Sequence, residues 1–452
     1  MWVEKIYAAI PLKISIRSRI EKISAEVVWV CFGQLMVVVG GVFGIRVLTY
    51  LLSPSIYGDV AIGMTAVVLA QQMILSPLGC SFLRYFSSAR EDGQLNVYVR
   101  TVRLLLTKAT VLIVIIGIIL IMGLFLSGAT KWVWLFFWAF LYSLFSGYNI
   151  VLNYIQNADR QRKIVALHQG VGQWLRYLIP VGLIGLWGVH GSIVMFGYMI
   201  ASLIILSSQL KFFRKNFVTI TTITREAVPA DVLNRYARKI FVYAWPFAAW
   251  GLFAWAQFVS SRWALLSFAT DREIGFYSVL YQFGYYPIIL ISGVVSQLLI
   301  PVLFHKAGSG KDSVRVEKTI RLNNVLILAA AVVTIMFVAF SGLFRKKIFS
   351  LLVAPEYRLV SSLLPLFVLS GGLLAIGFML NTMFMIKANT KILIYPKIVT
   401  AVLGVFLNYL GAYFYGLMGV VVAGIIFSLM YLVWIIILHL LDEKGIRLKY
   451  CS

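Results

Sequence analysis

About twelve apolar runs of roughly twenty residues, parted by short polar segments, constrain this 452-residue chain more than any other feature. A run of about 20 apolar residues is long enough to cross a bilayer as a helix. In hydrocarbon the backbone must satisfy its own hydrogen bonds, which helices do within one segment. The runs occupy residues 27–50, 58–80, 102–126, 132–154, 164–186, 191–210, 241–263, 275–302, 322–343, 361–386, 392–413 and 416–439. Six lie on each side of the longest polar interval, Gln209 to Ile240. That interval carries Lys211, Arg214, Lys215, Arg225, Arg235, Arg238 and Lys239 against Glu226 and Asp231. The expected fold is therefore an all-α polytopic membrane protein with about 12 transmembrane helices in two six-helix lobes. Its expected parts are a basic amino-terminal segment 1–26, lobes 27–210 and 241–440, a basic connector 211–240 and a tail 441–452.

Composition agrees: 61% of residues are hydrophobic and only 12% charged, against about 25% charged in a soluble domain. The net charge of +24 raises the question of nucleic acid. The basic residues, however, fall in short polar segments on alternating sides of the runs, without a helix-turn-helix, zinc-finger or RNA-binding aromatic pattern. They point to anionic membrane lipids instead. Thirty of the forty Lys and Arg residues fall on one side and seven on the other, which predicts that both termini are cytoplasmic. Arg345 to Lys347 is the local exception, either a flat interfacial segment or the mark of a misplaced neighbouring boundary. Trp2, Ile6, Ile10 and Ile14 fit one side of a surface helix, although Pro11 equally suits a partly ordered basic tail.

The chain shows no CxxC pair, HExxH, Walker A pattern or nucleophile–base constellation. No enzyme activity and no cofactor are expected. Cys31 and Cys80 sit in apolar runs and read as small buried side chains, with Cys451 in the tail.

A loose internal repeat links Arg46-Val47-Leu48 and Ile56-Tyr57-Gly58 with Arg262-Trp263-Ala264-Leu265 and Ile274-Gly275-Phe276-Tyr277. With six helices per half, this implies a pseudo-two-fold axis along the membrane normal and rocking of two lobes. Arg176 stands about twelve residues into the fifth run, or about 18 Å at 1.5 Å per residue. A cation at that depth faces a bundle interior, a wet cavity or a counter-ion. Gln169, Gln173, Arg176 and Pro180 share one helical side. Two roles fit Arg176: binding an anionic headgroup, with the glutamines on sugar hydroxyls, or buttressing other helices.

Arg46 and Arg262 fit either a cavity lining or interface snorkelling. Lys397, after Pro396, and Lys108 fit the inner part of a cavity or the inner headgroups. Gln71, Gln72, Gln257, Gln282 and Gln297 fit a sugar cavity or bridges between helices. Glu26 and Asp59 are expected at membrane boundaries, and His168 reads as structural or interfacial. Pro77, Pro180, Pro246, Pro287 and Pro396 are candidate kinks. The coupling ion stays open between chloride, sodium and proton.

The order of several segments resembles the polysaccharide-exporter branch of the multidrug, oligosaccharidyl-lipid and polysaccharide exporter superfamily, and within it a bacterial O-antigen or repeat-unit flippase. The segments are RVLTYLLSPSIYG from Arg46 to Gly58, Phe82-Leu83-Arg84-Tyr85, Ala89-Arg90-Glu91 and Asp271 to Tyr277. Pro355-Glu356-Tyr357, Leu407-Asn408 and Gly416-Leu417-Met418-Gly419 continue the series. The resemblance covers nearly the whole chain. It implies alternating-access transfer of an isoprenoid-diphosphate-linked oligosaccharide between leaflets of the bacterial cytoplasmic membrane. It places Arg84 and Arg90 in an inner-side segment that guides the headgroup or holds its loop against Glu91 and Asp92. A polysaccharide polymerase or chain-length machinery is an implied partner. A drug antiporter of the same superfamily and a non-transporting assembly factor are the competing readings.

Overall fold

Pro54 fixes where the second helix starts, because its ring presets a helical φ and it has no amide hydrogen to leave unpaired. The Ser53 carbonyl accepts from the Tyr57 amide at 3.0 Å, closing the first turn. The link between the first two helices is thus two residues, Leu52 and Ser53. The structure is a computed structural model in which residues 28–216, 228–307, 313–386 and 390–443 are described. The amino-terminal segment 1–26, the connector's centre with Arg225 and Glu226, Lys311, Lys387, and the tail with Lys444, Arg447, Lys449 and Cys451 lie outside the described residues.

The helices are α1 Val28–Leu51, α2 Pro54–Glu91 and α3 Leu95–Leu126, then α4 Thr130–Ala158, α5 Arg162–Trp187 and α6 Gly191–Asn216. There follow α7 Ala230–Phe268, α8 at 271–307, α9 Ser313–Leu352 and, after a 3-10 stretch at Pro355–Leu363, α10 Leu364–Ile386. The last helical stretch, Ile394–Glu443, breaks at Gly416, whose φ of +54° suits glycine, giving α11 at 394–415 and α12 at 417–443. Among the described residues nine helices are long and apolar enough to cross a membrane, the stretch broken at Gly416 counting as one. Helix α5, with His168, Gln169, Gln173 and Arg176, is not among them.

Two of the most apolar helices, α3 and α9, are the least buried. Ile118, Ile119 and Leu126 on α3 and Ile335, Met336 and Leu343 on α9 are exposed. Apolar surface in water costs about 25 cal/mol per Å²; against lipid chains it costs nothing. The chain is a multi-pass membrane protein.

Several helices outrun their apolar runs, because a helix continues into headgroups as long as its charges are solvated. The second run, 58–80, is helical over Pro54–Glu91. The ninth, 322–343, is helical over Ser313–Leu352, so Arg345 to Lys347 lie in the last turns of α9 rather than in a flat segment. The polar interval from Gln209 is partly helix too: α6 runs to Asn216 and α7 begins at Ala230. Asp59, expected at a boundary, is buried in the second turn of α2, and Cys31, expected to be buried, is exposed.

The described residues form two compact units. One comprises those up to Leu48 and Ala66–Ala249; the other comprises Thr49–Thr65 and those from Trp250 on. In the first unit α4 packs on α2, α3 and α6, and α5 packs on α6. Gly33 and Gly44 of α1 let Ala166 and Tyr177 of α5 approach, which a Cβ at either position would prevent. Phe82, Phe86, Tyr98 and Ile155 form a core with Ala237 and Ile240 of α7. The buried Tyr98 hydroxyl donates to the Phe82 carbonyl at 3.0 Å. The basic segments of this unit meet at one end. Arg90 pairs with Asp159 at 2.9 Å, Lys163 lies over the Trp29 ring and Lys239 over Tyr85.

In the second unit α10 is the hub, packed by α8, α9 and the α11–α12 stretch. The repeat motif has a physical cause here. A Cβ on Gly58 would overlap the Asp271 carbonyl, and one on Gly275 would overlap the Pro54 carbonyl. The two helix starts cross backbone to backbone, so both positions require glycine. Tyr357 of the 3-10 stretch donates to the Leu52 carbonyl at 3.0 Å, its ring lying edge-on to Tyr57 and Phe276. Glu273 caps α8 in a reciprocal box with Thr270 and also accepts from Leu417 N–H at 3.1 Å, just past the break at Gly416.

Candidate functional site

A polar stripe runs down α4: Tyr142, Ser146, Asn149, Asn153 and Gln156, spaced four, three, four and three. That period keeps one side chain per turn on a single face. On α5 Gln169, Gln173 and Arg176 repeat it, and on α6 Tyr198, Ser202, Ile205 and Gln209 do the same. Because α4 and α5 both pack on α6, the three stripes converge. All of these side chains except Gln156 line a cavity of about 410 Å³ within the first unit, in the range of ligand sites, about 300–1,000 Å³.

Arg176 lies at one end of this cavity. Its guanidinium carbon is 4.7 Å from the Tyr198 ring centroid, 5.7 Å from Tyr142 and 5.9 Å from Tyr177. Aromatic faces stabilise a cation without neutralising it. Amides and hydroxyls supply most of the other polar groups, with Val37, Ile150, Ala201 and Ile205 between them. Gln209 Nε2 donates to Asn153 Oδ1 at 2.7 Å and Gln156 Oε1 at 2.9 Å. Asn149 Nδ2 donates to Ser202 Oγ at 3.1 Å, and Gln71 Nε2 to Ser146 Oγ at 2.8 Å. His168 Nδ1 faces the Ile164 carbonyl at 2.8 Å and so carries the proton; in the neutral ring Nε2 then accepts from Ser208 at 3.2 Å. Gln71 opens a π-helical turn, Gln71–Leu75, in α2. Such turns are frequent at functional sites. None of the residues lining the cavity is an Asp or Glu. The arrangement offers a positive fork, ring faces and neutral hydrogen-bonding groups.

Of the residues singled out from sequence, Gln169, Gln173 and Arg176 come together in this cavity. Pro180 does not join them; it packs on Gly197 of α6. Arg46 is half-buried on α1 and is not among the lining residues. Arg84 is exposed on α2, and Arg90 is held by Asp159 rather than by Glu91 or Asp92.

Arg262 and Lys397 belong to the second unit. Arg262 lies over the Tyr281 ring at 5.3 Å and Tyr277 at 6.0 Å, with its Nε buried and without a hydrogen-bond partner. Tyr281 and Tyr285 stack at 5.0 Å within a second π-helical turn, Tyr281–Tyr285. They line a pocket of only about 40 Å³, room for little more than a water. Lys397 is buried, donating to Gln257 Oε1 at 3.0 Å. Its Nζ lies 5.4, 5.7, 5.6 and 5.8 Å from the Trp250, Phe258, Phe378 and Tyr431 ring centroids.

A family profile described as "Polysaccharide biosynthesis protein" matches residues 23–307, more than half the chain. The chain belongs to that family. As a family member it shares its fold with transporters of known structure. It is similar to the lipid II flippase MurJ in an inward closed conformation, with a TM-score of 0.67 and 14% identity over 93% of this chain and 87% of that one. It is similar to a multidrug resistance MATE family transporter of the MOP superfamily in an inward-facing conformation, with a TM-score of 0.63 and 15% identity over 92% and 96%. The Vibrio cholerae MATE transporter VcmN in a bent form gives a TM-score of 0.51 and 15% identity over 94% and 98%. No curated protein matches the chain. With these structures the chain shares its fold.

Proposed function

We propose that this protein is a flippase of the polysaccharide-exporter branch. It moves an isoprenoid-diphosphate-linked oligosaccharide from the inner to the outer leaflet of a bacterial cytoplasmic membrane by alternating access. The polar cavity of the first unit carries this reading: Arg176 sits among three tyrosines, amides and hydroxyls supply most of the other polar groups, and none of the described residues lining it is an Asp or Glu. A diphosphate calls for a positive fork, and Arg supplies one in fixed geometry. Sugar hydroxyls call for neutral donors and acceptors, which Gln169, Gln173, Asn149 and Asn153 provide.

A multidrug antiporter is the second reading, favoured by the fold shared with multidrug transporters. The cavity weighs against it, since a cationic drug beside Arg176 with no carboxylate would be repelled. Fold alone is common to both functions, so the reading rests on the lining. All twelve helices spanning the membrane with both termini cytoplasmic belongs to the same proposal, on the thirty-to-seven charge bias.

Leaflet-resolved transport by purified protein in defined liposomes tests the choice. Flipping of lipid-linked oligosaccharide without an added partner supports the flippase. Efflux of cationic drugs with no movement of the lipid supports the antiporter and overturns this reading. Movement of neither substrate in correctly folded protein favours an assembly factor.

A further inference from the structure

The first turns of α7 carry a basic groove that the Arg176 cavity does not use. Ala237, Ile240 and Ala244, spaced three and four apart, are buried in the cluster that holds Phe82, Phe86 and Tyr98. That spacing fixes the helix rotation. At 3.6 residues per turn, Arg235, Arg238, Lys239 and Val242 then fall on the face opposite the core. With Tyr243 and with Tyr85 of α2 they line an open groove of about 440 Å³. The two tyrosine rings meet edge to face at 5.8 Å.

The cations are unequal. Arg235 is engaged by Asp231 at 2.8 Å. Among the described residues neither Arg238 nor Lys239 has a carboxylate partner. Lys239 is steered into the groove by the Tyr85 ring at 5.0 Å and the Tyr236 ring at 5.8 Å. Immediately beyond them along α7 the surface turns apolar: Phe241, Val242 and Trp245 are 58%, 57% and 55% exposed.

Two cations next to exposed apolar side chains match a ligand that is anionic at one end and hydrocarbon at the other. A soluble anion would leave Phe241, Val242 and Trp245 uncovered, and a neutral lipid would leave the cations unanswered. Basic pockets at helix ends on the cytoplasmic side are suited to anionic headgroups, and the basic segments of this unit meet at this end.

We propose that the groove between α2 and α7 binds the phosphate of a membrane lipid. Arg238 and Lys239 take the phosphate oxygens, the guanidinium as a fork and the ammonium as a point charge. Tyr85 and Tyr243 wall the headgroup, and the chain lies along Phe241, Val242 and Trp245. The shared chemistry is a lipid phosphate, from either of two sources: bulk anionic phospholipid, or an isoprenoid diphosphate before it enters a transport site. The groove shares no residue with the Arg176 cavity.

Full-length protein in phosphatidylcholine nanodiscs is titrated separately with phosphatidylglycerol, an isoprenoid diphosphate and inorganic pyrophosphate. Wild type is expected to retain at least one of the two anionic lipids more tightly than phosphatidylcholine or free pyrophosphate. R238Q and K239Q should each weaken that binding about fivefold, and the double variant about 25-fold, at one surface charge per step. Val242→Glu, which brings a carboxylate to the same exposed face, should weaken it by a similar step. A loss in the phosphatidylglycerol arm alone assigns bulk lipid. A loss in the diphosphate arm assigns the isoprenoid carrier. Unchanged affinity for both lipids in the double variant overturns the proposal. So does pyrophosphate binding as tightly as the better-bound lipid, or loss of the site in R176Q.

Discussion

Lys397 and Gln257 offer the sharpest prediction about what holds the second unit together. The ammonium is buried, with one hydrogen-bond acceptor, Gln257 Oε1 at 3.0 Å, and four ring centroids at 5.4 to 5.8 Å. At that range each ring contributes about 0.5 kcal/mol, so about 2 kcal/mol for four. A hydrogen bond from a charged donor adds about 1.5–3 kcal/mol. Withdrawing an ammonium from water costs several kcal/mol after relaxation. The two sides nearly cancel, so loss of the single acceptor decides the outcome. Gln257→Leu strands the charge and is expected to cost about 3–5 kcal/mol. Lys397→Met removes the charge together with its desolvation and leaves Gln257 unanswered, Nε2 already lacking a partner, for about 1–3 kcal/mol. The double variant is apolar throughout and should unfold within about 1 kcal/mol of wild type. Thermal unfolding in one detergent, read by tryptophan fluorescence, gives the order. At about 2–4 °C per kcal/mol for a unit of this size, Gln257→Leu should fall by on the order of 10 °C. A Gln257→Leu midpoint equal to wild type, or a double variant below both singles, would refute the reasoning.

Glu273→Ala removes both the Thr270 capping box and the acceptor of Leu417 N–H. It should cost about 2–4 kcal/mol by thermal unfolding, with Glu273→Gln losing less. Gly275→Leu drives a side chain into the Pro54 carbonyl, whereas Gly293→Leu meets open space. Only the former should lose the monodisperse peak in size-exclusion chromatography. Gln209→Leu strips the donor shared by Asn153 and Gln156. It should weaken binding of the lipid-linked oligosaccharide more than that of the bare isoprenoid diphosphate, measured by titration in nanodiscs.

Much of the fold was legible because hydrocarbon permits few solutions. Runs of the right length had to be helices. Helix ends were not legible from hydropathy, since α2 and α9 continue into solvated charge. Arg176 could be read because a mid-run cation has few alternatives, and its glutamine neighbours followed from helical period. Apart from Gln71, the rest of the cavity was missed although the signal was there. The stripe of Tyr142, Ser146, Asn149, Asn153 and Gln156 has a heptad-like period, but each residue alone reads as an isolated polar group in an apolar run. Gln209 was read as the start of the polar interval, yet it is fully buried and bonded to α4. Which helix faces which, and so whether separate stripes share one cavity, is tertiary information. The buried settings of Lys397 and Asp59 were hidden for the same reason.

Paired binding by wild type, R176Q and R176K in the same liposomes tests the central claim most directly. The ligands are an isoprenoid-diphosphate-linked oligosaccharide and its uncharged analogue. Arg176 is expected to matter through its charge and its fork, so affinity for the diphosphate lipid should fall in the order wild type, R176K, R176Q. Flipping should follow the same order, and affinity for the uncharged analogue should barely change. Equal diphosphate affinity and equal flipping in all three folded proteins would contradict the account.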